Sequence, residues 1–255
     1  MYLHLDCAGG ISGGMALGAL AHLGVDFAPL VAALGRVGVA LELELMPQTR
    51  GGGPGCVANT ALNGAAGALR RPGEIAAVFA AAEVPARARD LALAALDALT
   101  GAEAQARQIA PEDVRFSEAM AAEALPGMLG TAFGLARLGV ERVTASALPW
   151  FEGSVETPHG LLPLPAPATA CLLRGKPVFA SGMREELITP VGAALLDALV
   201  KEFVPGLAGV PASLGTGYGC RPSDLGLRAC LLKGSLWGWA HRACRTAEFE
   251  KQALG

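Results

Sequence analysis

The sequence contains no Cys-x-x-Cys pair, no basic run longer than two residues and no near-continuous run of Leu, Ile, Val and Phe. Each absence removes a class of protein. The six cysteines, at 7, 56, 171, 220, 230 and 244, lie far apart, so no spacing suggests a disulfide framework. The N-terminal segment MYLHLDCAGG has no positively charged region and turns into glycines within eight residues, unlike a secretory signal. Reduced, mostly buried thiols and a cytoplasmic location are therefore expected. With Lys+Arg at 20, Asp+Glu at 23 and a net charge of −3, the chain carries no electrostatic footprint for a nucleic-acid backbone. The longest stretches free of Asp, Glu, Lys and Arg, residues 7–25 and 51–69, are interrupted by Gly, Pro, Asn and Thr. They do not read as membrane spans, and a soluble protein is expected.

What is present is apolar and rich in alanine. The chain has 255 residues, 52% of them hydrophobic, and a mean hydropathy of +0.42. Fifty residues are Ala, and Arg outnumbers Lys 16 to 4. That composition excludes an intrinsically disordered chain and suffices for one large domain or two small ones.

Along the chain, residues 1–5 read as a strand, followed by a glycine-rich turn at 9–14 and a helical run through Met15, Leu17, Leu20 and Leu23 to Gly24. Asp26 is placed to cap a second helix. Residues 39–46 alternate apolar and polar as a half-buried strand does, and 56–62 reads as its return after the turn at 50–55. Residues 73–139 read as helical, with helices at 74–83, 86–99 and 127–138 and with Pro72, Pro85, Pro111 and Pro126 as punctuation. Strand texture resumes at 142–148, 178–180, 210–215 and 227–232. Thr189-Pro190 opens a helix over 191–203. The expected class is α/β or α+β, a mixed sheet with an Ala-rich helical middle. One domain is expected over 1–234, with a tail at 235–255 that carries Trp237, Trp239, Arg242 and Arg245.

Three constellations bear chemistry. Asp6-Cys7-Ala8-Gly9-Gly10-Ile11-Ser12-Gly13-Gly14-Met15 puts a carboxylate at a strand end and backbone amides at a helix start, which suits an anion. It matches neither a Walker A loop nor a correctly spaced GxGxxG, and a tight turn is the plainer reading. Thr157-Pro158-His159-Gly160, followed by Pro163, Pro165 and Pro167, makes a stiff loop that can hold His159 as an acid–base or ligand group; a structural His is the alternative. Glu118 and Glu123, after Phe116-Ser117, are five apart and do not share a helix face, so they read as a solvated helix start. Gly215-Thr216-Gly217-Tyr218-Gly219 reads as a close backbone approach or a flexible strand end.

In this order the segments resemble the LarC family. Its members insert nickel into a pyridinium-3,5-bisthiocarboxylic acid mononucleotide, the organic pincer that becomes the nickel cofactor of lactate racemase. The family's opening FDC…SGDM matches residues 5–15 except at Gly14. Its HFHE segment is similar to residues 115–130, its HGxLPvPAPAT to His159 through Thr169, and its ELVTPTGAALL to Glu186 through Leu196. Its GYGAGTRD is echoed at 215–222. The resemblance covers about residues 1–233 of the chain.

The resemblance implies a nickel chelatase, a lyase of cofactor maturation that acts as metallochaperone and template. It implies that Asp6, Gly9, Gly10, Ser12, Gly13 and Thr189 bind the nucleotide. His159 and Glu118 would act catalytically, and His159, Glu118 and Asp6 would hold nickel in transit. The chain departs from the family at Gly14, Arg115, Ser117 and Gly127, and it has no His-rich stretch near residues 69–72. It also ends where the family's second half, which handles CTP, would begin. CTP use is therefore not expected of this chain, and a separate second-half protein and a homo-oligomer are the expected partners beside the pincer mononucleotide. The alternative is a non-catalytic paralogue that keeps the fold and serves as a nucleotide-binding or partner subunit.

Overall fold

A computed structural model describes residues 1–51, 53–157, 160–207, 209–219 and 226–233. The first half holds β1 (Tyr2–Asp6), α1 (Gly13–His22), α2 (Ala28–Arg36), β2 (Ala40–Arg50), β3 (Gly53–Asn63), α3 (Pro72–Ala81), α4 (Ala86–Arg107) and α5 (Glu118–Arg137). After these come β4 (Arg142–Ala145), β5 (Leu148–Trp150), β6 (Ser154–Thr157), β7 (Gly160–Pro163), α6 (Pro167–Leu173), β8 (Val178–Ala180), α7 (Pro190–Leu199), β9 (Val200–Phe203), β10 (Val210–Tyr218) and β11 (Leu227–Lys233). The class is α/β. A seven-stranded mixed sheet runs β2-β3-β10-β11-β1-β4-β9, and two small two-stranded sheets pair β5 with β8 and β6 with β7.

The sheet mixes parallel pairs with antiparallel ones, among them the β2–β3 and β10–β11 pairs. β1 lies parallel to β4 and antiparallel to β11, and β4 is parallel to β9. The β2–β3 hairpin keeps one register from Ala40↔Asn63 to Arg50↔Gly53. β2 is an edge strand, so its alternation is shallow: Leu41 is buried, Leu43 is partly covered and Leu45 is exposed.

α1 lies against β3 and β10 on one side and α5 on the other. Glycine lets it come that close: a Cβ on Gly217 of β10 would stand 1.8 Å from the Met15 carbonyl oxygen. Gly215 and Gly217 of the glycine-rich segment are thus a seat for a helix backbone. The segment after it, 220–225, lies outside the described residues.

The Ala-rich middle is helical, with two corrections. α4 continues to Arg107, because Ala102, Glu103 and Ala104 extend the buried face that Ala88, Ala92, Ala95, Leu96 and Leu99 begin. Pro126 does not separate helices but lies inside α5, fully buried; packing on both sides of the helix outweighs the one backbone hydrogen bond that proline removes. α7 ends at Leu199, earlier than the sequence suggests, and the chain passes directly into β9, where pairing with β4 takes over. α5 is long and apolar enough to cross a membrane by length and composition, yet 72% of its apolar window is buried inside the protein. It is the central core helix.

Candidate functional site

The site is built at the carboxyl ends of the parallel strands β1 and β4, where the chain leaves β1 for α1. Ligands of open α/β sheets collect at such a strand edge. The turn is held on three sides. The Cys7 amide donates to Ser146 Oγ just after β4, at 2.9 Å, and the Ser146 amide returns to the Leu5 carbonyl at 2.9 Å. The Ile11 amide donates to the Leu187 carbonyl at 3.0 Å, and the Thr189 amide to the Ile11 carbonyl at 3.2 Å, stitching the turn to the segment before α7. Gly10 sits at φ +88°, and a Cβ there would stand 1.9 Å from the Leu187 oxygen, so both conformation and space demand glycine. Ser12 then caps α1, its Oγ accepting from the Met15 amide at 3.1 Å.

The third side is Glu123 of α5, and here the solvated-helix-start expectation fails for one of its two carboxylates. Residues five apart on a helix point about 140° from each other. Glu118 therefore faces out, 86% exposed and 3.3 Å from Arg70 Nη2, whereas Glu123 turns inward. Glu123 Oε1 accepts from the Gly13 amide at 2.7 Å and from the Thr189 hydroxyl at 2.8 Å. Thr189 Oγ1 in turn accepts from the Gly192 amide at 3.0 Å, capping α7. One carboxylate thus closes the N-termini of both α1 and α7, where helix dipoles favour negative charge. Burial nevertheless pushes its carboxyl above the ordinary glutamate range, against the opposing pull of those two donors.

The nucleotide-binding residues read from the sequence come together, but not as an open cradle. The Gly13 amide is committed to Glu123, the Gly10 amide to the Cys7 carbonyl at 2.7 Å, and the Thr189 hydroxyl to Glu123 and Gly192. The amides of Gly9 and Ser12 donate to no described residue. Asp6 accepts from the Ala8 amide at 3.1 Å through Oδ1 and pairs with Arg228 through Oδ2. Arg228 gives no signal in the sequence read alone; only the β1–β11 register, which sets it opposite Asp6, identifies it. Pro158 and His159 lie outside the described residues. Among the described residues no three His, Cys, Asp or Glu side chains converge on a position that could hold a metal ion.

Two other groups near the strand edge are spoken for. Cys7 is fully buried, its thiol donates to the Leu5 carbonyl at 3.7 Å, and burial first and the nearby Asp6 second push its ionisation far up, which keeps it a neutral thiol in the metal-free chain. His4 is buried against Thr144 at 3.0 Å, and loss of solvation lowers its pKa, which makes it a neutral core imidazole. Cys7, Cys56, Cys171 and Cys230 are free; Cys220 and Cys244 lie outside the described residues.

The family model described as "Nickel insertion protein" matches residues 3–250. A putative nickel insertion protein of Syntrophobacter fumaroxidans is 40% identical over 220 residues, 86% of this chain and 56% of its own length. A pyridinium-3,5-bisthiocarboxylic acid mononucleotide nickel insertion protein of a Nocardioides species is 38% identical, over 86% of this chain and 56% of its own length. One of the same description from Desulfitobacterium hafniense is 38% identical, over 79% of this chain and 50% of its own. The chain spans about half the length of the curated relatives it matches. No solved structure matches it.

Proposed function

The chain belongs to the nickel insertion protein family, and from that premise we propose that it inserts nickel into pyridinium-3,5-bisthiocarboxylic acid mononucleotide in the maturation of a nickel-pincer cofactor. The observation that carries this reading is the match to the family over nearly the whole chain. Nickel and the mononucleotide are both substrates. The phosphate meets the amides of Gly9 and Ser12 in the β1–α1 turn, with Gly10, Gly13 and Thr189 shaping the turn from within. The metal passes through a labile set made of Asp6, Glu118 and His159. Carboxylates with a single imidazole suit transit better than storage, since Ni(II) is held tightly by several nitrogen or sulfur donors.

A nucleotide-binding subunit without insertion chemistry is the second reading. It is favoured by the departures from the family's pattern at Gly14, Arg115, Ser117 and Gly127, where ligand-capable side chains are replaced. Purification from nickel-supplemented cells, with metal analysis and mass spectrometry of the bound small molecule, separates the two. Insertion predicts a co-purified pincer mononucleotide with nickel in stoichiometric amount. A nickel-free nucleotide alone would select the second reading, and no bound nucleotide would overturn both.

A further inference from the structure

The relatives' substrate, as its name gives it, carries thiocarboxylates at positions 3 and 5 of a pyridinium ring. A metal held in the ring plane by one sulfur from each group must lie over the carbon between them. The hydrogen on that carbon occupies the same place, so insertion must break the C–H bond, form a carbon–nickel bond with the electron pair left behind, and deliver a proton to an acceptor. No oxidant or reductant is needed: Ni(II) enters and one proton leaves. Because the acceptor must have a lone pair free and be held still, the protein's own carboxylates can be sorted by geometry.

We propose that Glu123 is that acceptor, through Oε2. This rests on the insertion reading above. Among the carboxylates at this strand edge, Asp6 has one oxygen on the Ala8 amide and the other on Arg228, and Glu118 is largely exposed beside Arg70. Glu123 is different. Its Oε1 is fixed from two directions, by Gly13 of α1 and Thr189 of α7, which sets the plane of the carboxylate. Its Oε2 accepts from no described residue, and the side chain is half-buried at the base of the turn. The close approach of Gly13 and Gly127, where a Cβ on either would come within 3.0 Å of the other's Cα, keeps α1 and α5 from shifting relative to this group.

Partial desolvation makes a carboxylate a stronger base, in the direction that burial moves Glu123. Its charge environment is set by burial and by the two donors, with no charged side chain of α1, α4, α7 or β3 acting on it among the described residues. The charged groups nearest in sequence are Glu118 on its own helix, Asp6 before α1, and Glu185 and Glu186 before α7.

The test follows nickel incorporation into the synthetic pincer mononucleotide by the full chain, reading loss of the ring hydrogen by proton NMR and ligand affinity by titration. Glu123→Gln keeps the Oε1 acceptor and removes only the base. It should slow incorporation about 100-fold, leave affinity within about threefold, and abolish the rise of the wild-type rate with pH. Glu123→Asp, which keeps a carboxylate, should retain the pH dependence at a reduced rate, and it carries the test if the Gln variant does not fold. Incorporation by Glu123→Gln at the wild-type rate, or loss of ligand binding in that variant, overturns the base role while leaving the insertion reading intact. A wild-type chain that binds the mononucleotide and incorporates no nickel overturns both.

Discussion

Glu123 shows what a single residue can hide in a sequence. Its neighbours in the chain say only that it follows Glu118 by five positions, and five positions cannot distinguish two solvated carboxylates from one solvated and one inward. What decides the matter is tertiary: α1 and α7 both begin against α5, and each offers a donor to Oε1. Asp6, Gly9, Gly10, Ser12 and Gly13 were legible because a strand, a glycine turn and a helix start follow one another without interruption. Arg228 was not, since its partnership with Asp6 exists only in the β1–β11 register. The raised carboxyl of Glu123 has a consequence for stability. Between the ordinary ionisation of the unfolded glutamate and the higher one in the fold, the native state holds the extra proton, so stability falls as pH rises through that window. Glu123→Gln keeps the acceptor and removes the titration. In urea denaturation from about pH 4 to about pH 8, the stability of the variant relative to the wild type should therefore grow with pH. A difference that stays flat, or shrinks, would show that the carboxylate is not desolvated in the fold.

The elements carry their own logic. α7 starts where the sequence says it should, at a hydroxyl followed by proline, but Thr189 has a second duty that propensity cannot reveal: its hydroxyl proton goes to Glu123 while its oxygen caps Gly192. Thr189→Ala removes both bonds, and a loss of about 1–2 kcal/mol is expected, with Thr189→Ser recovering most of it. Equal stability of the Ala and Thr forms in thermal or urea unfolding would contradict the joint described here. The β2–β3 hairpin, β8 and β11 were legible from period-two texture and glycine turns, whereas the single strand read over 142–148 is two, β4 in the main sheet and β5 paired with β8. The ends of α4 and α7 and the passage of α5 through Pro126 were not. In each case burial against a neighbouring element extends or shortens what local propensity suggests, as the buried run from Ala124 to Leu135 around Pro126 shows.

At the scale of the whole molecule, the parts converge on one edge. The sheet places β1 between an antiparallel and a parallel neighbour, and the turn that follows is pinned by β4, α5 and α7 together. A turn fixed from three sides is preorganised, so binding there costs little ordering of the chain. The aligned part covers 56% of the length of a relative such as the one from Syntrophobacter fumaroxidans, and the part present here contains the glycine turn and the Glu123 joint. The central claim is that this part by itself recognises the pincer mononucleotide. Isothermal titration of the full 255-residue chain with the nickel-free mononucleotide tests it most directly. One site per chain is expected, with affinity falling at least about tenfold when the phosphate is removed and again when the two sulfurs are replaced by oxygen. No measurable binding, or equal binding of a pyridinium mononucleotide without the thiocarboxylates, would contradict the account.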